Sequence, residues 1–262
     1  MNIFKNNFKN NFFFFLALIA ISGSIYAAEG TTFKNKKPGF SFEGPLGKFD
    51  KESLKRGYQV YSEVCSACHG MKQLSFRNLS QPGGPEFSVE KVKEIASSYS
   101  IIDGTNEYGE PIERSMALTD RFPKPYGSKD EAKAANNGAY PPDLSLIVKA
   151  RVDGYNYLYS LLNGYEEEIP EDKDIGDLSY NPWFPGGAIA MYQPLYDESV
   201  EYEDGTIATI DQMSYDVTNF LAWAAEPTME ERKRLGFVVM GFLIIFLILM
   251  YLSVNRLFRD VH

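Results

Sequence analysis

Residues 65–69 read Cys65-Ser66-Ala67-Cys68-His69, a C-x-x-C-H pattern. The two thiols stand about one helical turn apart, so both can add to the vinyl groups of one haem while the adjoining imidazole meets the iron. Cys65 and Cys68 are the only cysteines of the chain, and its only other histidine is His262 at the C-terminus. The pattern therefore indicates a c-type haem attachment site with His69 as an iron ligand.

Two other uses of a cysteine pair compete with this interpretation. A thioredoxin-like redox pair requires a βαβ context, and a structural zinc site requires further cysteine or histidine ligands. The sequence offers neither of these, so it favours one covalently attached haem c.

Two apolar runs without charge lie near the ends of the chain, at residues 12–21 and 235–254. The first follows Lys5 and Lys9 and leads to Ala27-Ala28, which is the layout of a secretory signal peptide. An uncleaved anchor is the alternative, but the run is short for a spanning helix. Loss of Lys5 and Lys9 would change the formal net charge from −9 to −11, because two positive charges leave. An acidic chain of this kind is not expected to bind nucleic acid.

The second run, residues 235–254, is long enough to form about 30 Å of helix and to cross a bilayer. A buried core helix is the alternative, but the run has no polar face. We therefore expect a signal peptide at 1–28, a periplasmic haem domain at 29–228, and a membrane anchor with a short cytoplasmic tail at 229–262.

Helical periodicity is clear at three places. After Asp50, apolar residues recur at steps of four and three up to Cys65, which predicts a helix that delivers the attachment site. Residues 88–97 also read as a helix. From Thr209, a capping box with Gln212 precedes one apolar stripe: Met213, Val217, Phe220, Leu221 and Ala224.

Other segments give weaker signals. Residues 101–127 contain several prolines and are expected to be irregular. Residues 134–145 are rich in turn formers, and we expect them to lead into a helix that carries Leu144, Ile147, Val148 and Arg151 at helical spacing.

The sixth iron ligand can be sought among the eight methionines. Five lie in the signal peptide, in or beside the membrane run, or too close to His69 to reach the opposite haem face: Met1, Met71, Met229, Met240 and Met250. Met116, Met191 and Met213 remain. Met213 lies on an apolar helical stripe, where a core role is the better assumption, and Met116 follows charged residues in an irregular stretch. Met191 ends a Pro-Gly-Gly loop that can bring backbone close to a flat ring, which favours it.

Four longer segments resemble the cytochrome c1 family, in the right order. They are residues 134–147, residues 157–165, the run Tyr-Asn-Pro-Trp-Phe-Pro-Gly-Gly-Ala-Ile-Ala-Met at 180–191, and residues 220–236 with a Trp-Ala-Ala-Glu-Pro core. The resemblance covers the chain from Asp50 to the C-terminus. It implies a mainly α, cytochrome c-like haem domain with long insertions, followed by one C-terminal transmembrane helix.

The resemblance also implies roles for particular residues. Met191 matches the sixth iron ligand of the family, and Arg151 matches an arginine that supports a haem propionate. Further haem-pocket positions are matched by Asn136, Pro142 and Tyr157.

The function implied by the resemblance is electron transfer in the respiratory chain, within the quinol-oxidising cytochrome bc1 complex of a bacterial inner membrane. The chain would accept electrons from a Rieske iron-sulfur protein and pass them to a soluble or membrane-held cytochrome c. It would sit beside cytochrome b in a dimeric complex, in contact with membrane lipid, and would not act on a substrate by itself. The alternatives are an anchored cytochrome c subunit of a terminal oxidase and a haem enzyme such as a peroxidase, which needs an open iron site or a second haem.

An acidic stretch at residues 166–177 holds seven carboxylates and one lysine, and a second acidic group lies between Asp197 and Asp204. Such charge runs are commonly solvated, flexible surfaces. In an electron-transfer protein they are also suited to steer a basic cytochrome c. The sequence leaves both interpretations open.

Overall fold

A computed structural model describes residues 33–165, 169–171 and 173–259. The described residues fall into two units, one that ends at Lys233 and one that begins at Arg234. The proposed signal peptide and residues 166–168 and 172 of the acidic stretch lie outside the described residues.

The described residues are mainly helical, as the sequence predicts. The α-helices are α1 (Lys51–Glu63), α2 (Val89–Ser97), α3 (Lys129–Ala135), α4 (Gly154–Leu162), α5 (Ile210–Ala225) and α6 (Met229–Leu257). Short 3₁₀ turns cover Cys65–Ala67, Phe76–Ser80 and Ile147–Lys149. The strands form two antiparallel pairs, β1 (Ser100–Thr105) with β2 (Pro111–Ser115) and β3 (Ser179–Tyr180) with β4 (Ala188–Ile189).

Helix α1 begins where the sequence predicts, because the Asp50 side chain accepts hydrogen bonds from the first free backbone N–H groups. Its apolar face packs against α5. A Cβ on Gly57 would lie 2.0 Å from the Asp216 carbonyl oxygen, so only glycine permits this close helix approach. Beside it, Arg56 binds the fully buried Asp216 at 2.8 Å. Burial by itself lowers the pKa of Arg56, but hydrogen bonds with Asp216 and Asp204 outweigh it and raise that pKa.

Helix α5 confirms the apolar stripe, all of whose members are buried. The predicted capping box forms only in part. Thr209 Oγ1 accepts from the Gln212 backbone N–H at 3.2 Å, but the Gln212 side chain donates to Asp216 Oδ2 at 2.9 Å. The Thr209 backbone N–H donates to the Ile207 carbonyl at 3.0 Å instead, and the Gln212 amide bonds the carboxylate that forms the ion pair with Arg56.

The prediction that residues 101–127 are irregular is wrong at its start, where β1 and β2 form a hairpin. Every residue of β1 is exposed, so its sequence carries no alternation between buried and exposed positions. Ion pairs stabilise the hairpin instead, since Arg114 on β2 binds both Asp103 on β1 and Asp120 after β2 at 2.6 Å.

The prediction of a helix through Leu144 and Arg151 is also wrong. Only a 3₁₀ turn forms there, and α4 begins later, at Gly154. Asp153 adopts a left-handed φ of 52°, and a Cβ on Gly154 would lie 1.7 Å from the Val148 carbonyl oxygen. The chain therefore turns sharply before α4, which local periodicity does not reveal. Helix α3 was not predicted at all.

Helix α6 confirms the membrane-spanning prediction. Within the described residues it is the one helix long and apolar enough to cross a bilayer, with an 18-residue stretch of mean hydropathy 2.8. Its large apolar side chains from Leu235 onward are exposed. The exact domain boundaries stay a prediction.

Candidate haem site

The cysteine motif lies in one tight turn directly after α1. The backbone N–H groups of Cys68 and His69 both donate to the Cys65 carbonyl, at 3.2 and 2.9 Å. Both cysteines are free thiols and half-buried. Burial, and to a lesser degree Cys68, raises the pKa of the Cys65 thiol to about 12. The turn therefore places two cysteines next to an imidazole, which is the arrangement that covalent haem attachment requires.

The ring of His69 is held by a backbone carbonyl. Its Nδ1 lies 2.8 Å from the Pro142 oxygen. Because a carbonyl only accepts, Nδ1 carries the proton, and Nε2 keeps a free electron pair for a metal. Burial lowers the pKa of His69, although Pro142 and Asp143 oppose this effect. A neutral, oriented imidazole is the form that binds iron, so these residues fit a haem.

The carbonyl of Pro142 is itself fixed, because the following residues pair with the chain after the cysteine motif. The loop 143–145 makes three hydrogen bonds of 2.9–3.0 Å to residues 70–73: Leu144 N to Gly70 O, Lys72 N to Asp143 Oδ2, and Gln73 N to Ser145 Oγ. The loop therefore acts as a fixed support for His69.

Met191 lies at a second, smaller hydrophobic cluster, separate from the main core. It packs, half-buried, against Tyr157, Leu161 and Ile189. The Tyr165 hydroxyl donates to the Met191 carbonyl at 3.0 Å, and burial raises the pKa of Tyr165, so this donor keeps its proton. The backbone that leads to Met191 is thus held by a side chain.

The other two candidate methionines serve in packing. Met116 and Met213 are buried in the main core, with 6% and 0% of their surface exposed. The sulfur of Met213 also accepts from Ser199 Oγ at 3.5 Å. Their burial favours Met191 as the remaining sulfur for the iron, and this assignment stays a prediction.

The residues that precede Pro142 contact the Met191 segment. Asn137 Nδ2 donates to the hydroxyl of Tyr192, the neighbour of Met191, at 2.9 Å. Asn136 precedes it, and its amide donates to Tyr126 Oη at 3.0 Å and to the Ala132 carbonyl at 2.7 Å. Residues 136–145 therefore contact both the His69 segment and the Met191 segment.

Arg151 and Tyr157 are neighbours. Burial raises the pKa of Tyr157, while the nearby Arg151 charge and hydrogen bond lower it. Arg151 is exposed and donates to the Ala150 carbonyl at 2.9 Å. An exposed guanidinium beside a buried phenol suits a carboxylate such as a haem propionate. The roles of Arg151, Tyr157 and Asn136 stay predictions.

Two contacts of the site were not predicted from the sequence. The resemblance points to Pro142 as a haem-pocket position, but it does not show that the Pro142 carbonyl holds His69, since a backbone acceptor has no residue signature. The other is Tyr165, which reads as one more aromatic residue in an aromatic segment. Its spacing relative to Met191 is long, so no local periodicity connects the two residues.

The zinc and thioredoxin-like alternatives find no support in the described part of the chain. None of its histidine, cysteine and acidic side chains form a group of three or more that could hold a metal ion. Its strands form only antiparallel pairs, without the parallel βαβ unit of a thioredoxin-like site.

Comparison with known proteins agrees with the resemblance. The model of the Cytochrome C1 family matches residues 40–261. A cytochrome c1 of Rhodospirillum rubrum is 41% identical over 93% of this chain and 94% of its own length. A cytochrome b/c1 of Bradyrhizobium diazoefficiens is 46% identical over 94% of this chain, and a mitochondrial cytochrome c1 heme protein of Arabidopsis thaliana is 50% identical over 74%. The matched segment spans 40% of the Bradyrhizobium protein and 62% of the Arabidopsis protein.

Proposed function

This chain belongs to the cytochrome C1 family, and we propose that it is the haem-bearing electron-transfer subunit of a bacterial quinol:cytochrome c oxidoreductase. The observation that carries the proposal is the contact between His69 Nδ1 and the Pro142 carbonyl, directly beside two free thiols. It supports a neutral imidazole fixed for iron, in the turn where both cysteines can bond one haem. That the relatives include proteins named as heme proteins supports the same cofactor.

When bound, the haem supplies one-electron redox chemistry at its iron. The protein residues hold and tune it. Cys65 and Cys68 would attach the haem covalently, and His69 and Met191 would ligate its iron. Methionine with histidine ligation would raise the reduction potential. No side chain of the site is proposed to act on a substrate.

The proposed partners follow from the family. Cytochrome b and a Rieske iron-sulfur protein would belong to the same complex, with the Rieske protein as electron donor. The relative named cytochrome b/c1 supports the association with cytochrome b. A soluble or membrane-held cytochrome c would be the acceptor, and the complex would be dimeric.

The proposed location is the inner membrane, with α6 as a single-pass anchor. Cleavage of residues 1–28 would leave a haem domain at 29–228 on the periplasmic side, and 229–262 as the anchor and cytoplasmic tail. The exposed apolar surface of α6 supports contact with lipid.

Mild solubilisation of membranes and affinity isolation of this chain test the function. We expect a b-type haem subunit and an iron-sulfur protein to co-purify, and the isolated complex to reduce cytochrome c with quinol. Co-purification of a copper-containing oxidase instead would support the terminal-oxidase alternative. Rapid binding of carbon monoxide or cyanide by the isolated chain at neutral pH would support a haem enzyme.

The acidic stretch 166–177 is proposed as a docking surface for the acceptor. Its Lys173 lies 3.5 Å from the Gly186 carbonyl and 5.3 Å from the Tyr180 ring, so the described part of the stretch adjoins the β3–β4 hairpin that leads to Met191. A basic cytochrome c docked there would approach the site.

Neutralisation of Glu171, Asp174 and Asp177 to their amides tests this docking surface. Because exposed charges act mainly on encounter rate, we expect electron transfer to a basic cytochrome c to slow about tenfold at low salt, with a weaker salt dependence. The matched control neutralises the exposed Glu90, Glu94 and Glu107, which changes the net charge equally. Equal effects of the two triple variants across ionic strengths would contradict docking at 166–177.

A further inference from the structure

We propose that residues 33–36, here called the N-terminal strap, fix the position of the Trp183 ring, which packs against the hydrophobic cluster at Met191. This inference rests on the proposed function, because it assumes that Met191 is an iron ligand. The strap acts through Trp183, which contacts both the strap and this cluster. Neither the strap nor Trp183 carries any chemistry of its own.

The strap is bound along α4. The backbone N–H of Lys36 donates to Ser160 Oγ at 2.8 Å, and Ser160 is fully buried. Asn35 Nδ2 donates to Asp153 Oδ2 at 3.2 Å, at the residue that precedes α4. The Lys36 ammonium donates to the Asn163 carbonyl at 3.4 Å, at the helix C-terminus, where a positive charge is favourable. The strap therefore contacts both ends of α4.

The same strap covers Trp183. The Lys36 ammonium lies 5.1 Å above the centre of the indole ring, and the Phe33 ring lies 5.6 Å from it. A cation over tryptophan and a tilted aromatic pair are both attractive. After the strap, Phe40 is buried in the main core and stacks on Tyr215 at 4.8 Å, so the strap is tethered at its C-terminal end.

Trp183 in turn packs against the cluster that holds Met191. Trp183 and Met191 both pack against the cluster that Tyr157, Leu161 and Ile189 form. A Cβ on Gly164 would lie 2.4 Å from the indole, so the ring rests directly on the backbone at the end of α4. The indole therefore contacts both the strap and the Met191 cluster.

The expected consequence is a change in how often Met191 leaves the iron. If the strap detaches, the indole loses its cover and the cluster gains freedom to move. An added anion binds ferric iron only when the methionine has left, so its rate of binding scales with the open fraction. The rate of cyanide binding therefore measures the effect of the strap.

The test uses the full chain in detergent-solubilised membranes, with the double variant Phe33→Ala/Lys36→Ala. The variant removes the cation–π contact and the aromatic pair with Trp183, together with the hydrogen bond from the Lys36 ammonium to the Asn163 carbonyl. We therefore expect cyanide binding to ferric haem to accelerate about fivefold or more. The near-infrared band of iron-methionine ligation should weaken at the same time. Lys36→Arg should bind cyanide at the wild-type rate, since a guanidinium also stacks on tryptophan.

Two further variants calibrate the measurement. Lys37→Ala removes a neighbouring exposed lysine that contributes no contact to Trp183 among the described residues, and it should leave the rate unchanged. Tyr165→Phe removes the hydroxyl that holds the Met191 carbonyl, and it should accelerate cyanide binding at least as much as the double variant. A merely structural strap would lower the melting temperature without changing the near-infrared band or the cyanide rate.

An unchanged cyanide rate in the double variant, together with an accelerated rate in Tyr165→Phe, would overturn the role of the strap and leave the proposed function intact. Failure of the proposed ligand set gives a different result. In that case the wild-type protein itself lacks the near-infrared band and binds cyanide rapidly.

Discussion

Replacement of Met191 by leucine is expected to leave the haem covalently attached and to lower the reduction potential sharply. Leucine fills a similar volume, so the cluster of Tyr157, Leu161 and Ile189 stays packed. The sulfur that favours the ferrous state is lost, and we expect a fall on the order of 0.1–0.3 V, within the about 0.8 V that axial ligands span. Potentiometric titration of solubilised membranes and near-infrared spectra of the ferric protein measure the two effects.

Met116→Leu and Met213→Leu are the matched controls. Both side chains are buried in the main core, and each substitution of similar volume should cost less than about 1.5 kcal/mol of stability. Neither should move the potential or remove the near-infrared band. If the band survives in Met191→Leu and disappears in one of the controls, the ligand is the control methionine.

Substitution of either cysteine by alanine is expected to lower the amount of mature, haem-stained protein several-fold. Tyr157, Leu161 and Ile189 form only a small hydrophobic cluster at Met191, and Met191, Cys65 and Cys68 are half-buried. A bound haem would supply the missing apolar block, and loss of a stabilising ligand shifts chains toward degradation. Haem-stained gels and immunoblots of membranes provide the measurement for Cys65→Ala and Cys68→Ala.

Ser66→Ala is the control within the same turn. Its hydroxyl donates only to the Ser62 carbonyl, at 2.7 Å, so its loss should leave the amount of haem-stained protein near the wild-type level. Wild-type amounts of covalently stained protein in either cysteine variant would show that this cysteine is dispensable for attachment.

Helices α1 and α5, which the sequence predicts correctly, each bury one apolar face. Helix α1 begins at the Asp50 cap, and α5 begins after Thr209, because a capping side chain and a periodic apolar stripe are both local in sequence. Two segments that the sequence predicts wrongly lack such local signals. The β1–β2 hairpin is exposed on β1, and the helix expected through Leu144 is replaced by a 3₁₀ turn that ends before Asp153.

The haem motif and the membrane helix were determined by the sequence alone, because each depends on the identity and spacing of adjacent residues. Cys65, Cys68 and His69 need only one turn, and the run at 235–254 needs only length and the absence of charge. The surroundings of the site were decided by the tertiary structure. The Pro142 carbonyl at His69, the Tyr165 hydroxyl at Met191 and the strap over Trp183 join residues 26 to 147 positions apart. Such contacts arise only when packing brings distant backbone together, and no local pattern of residue types encodes them.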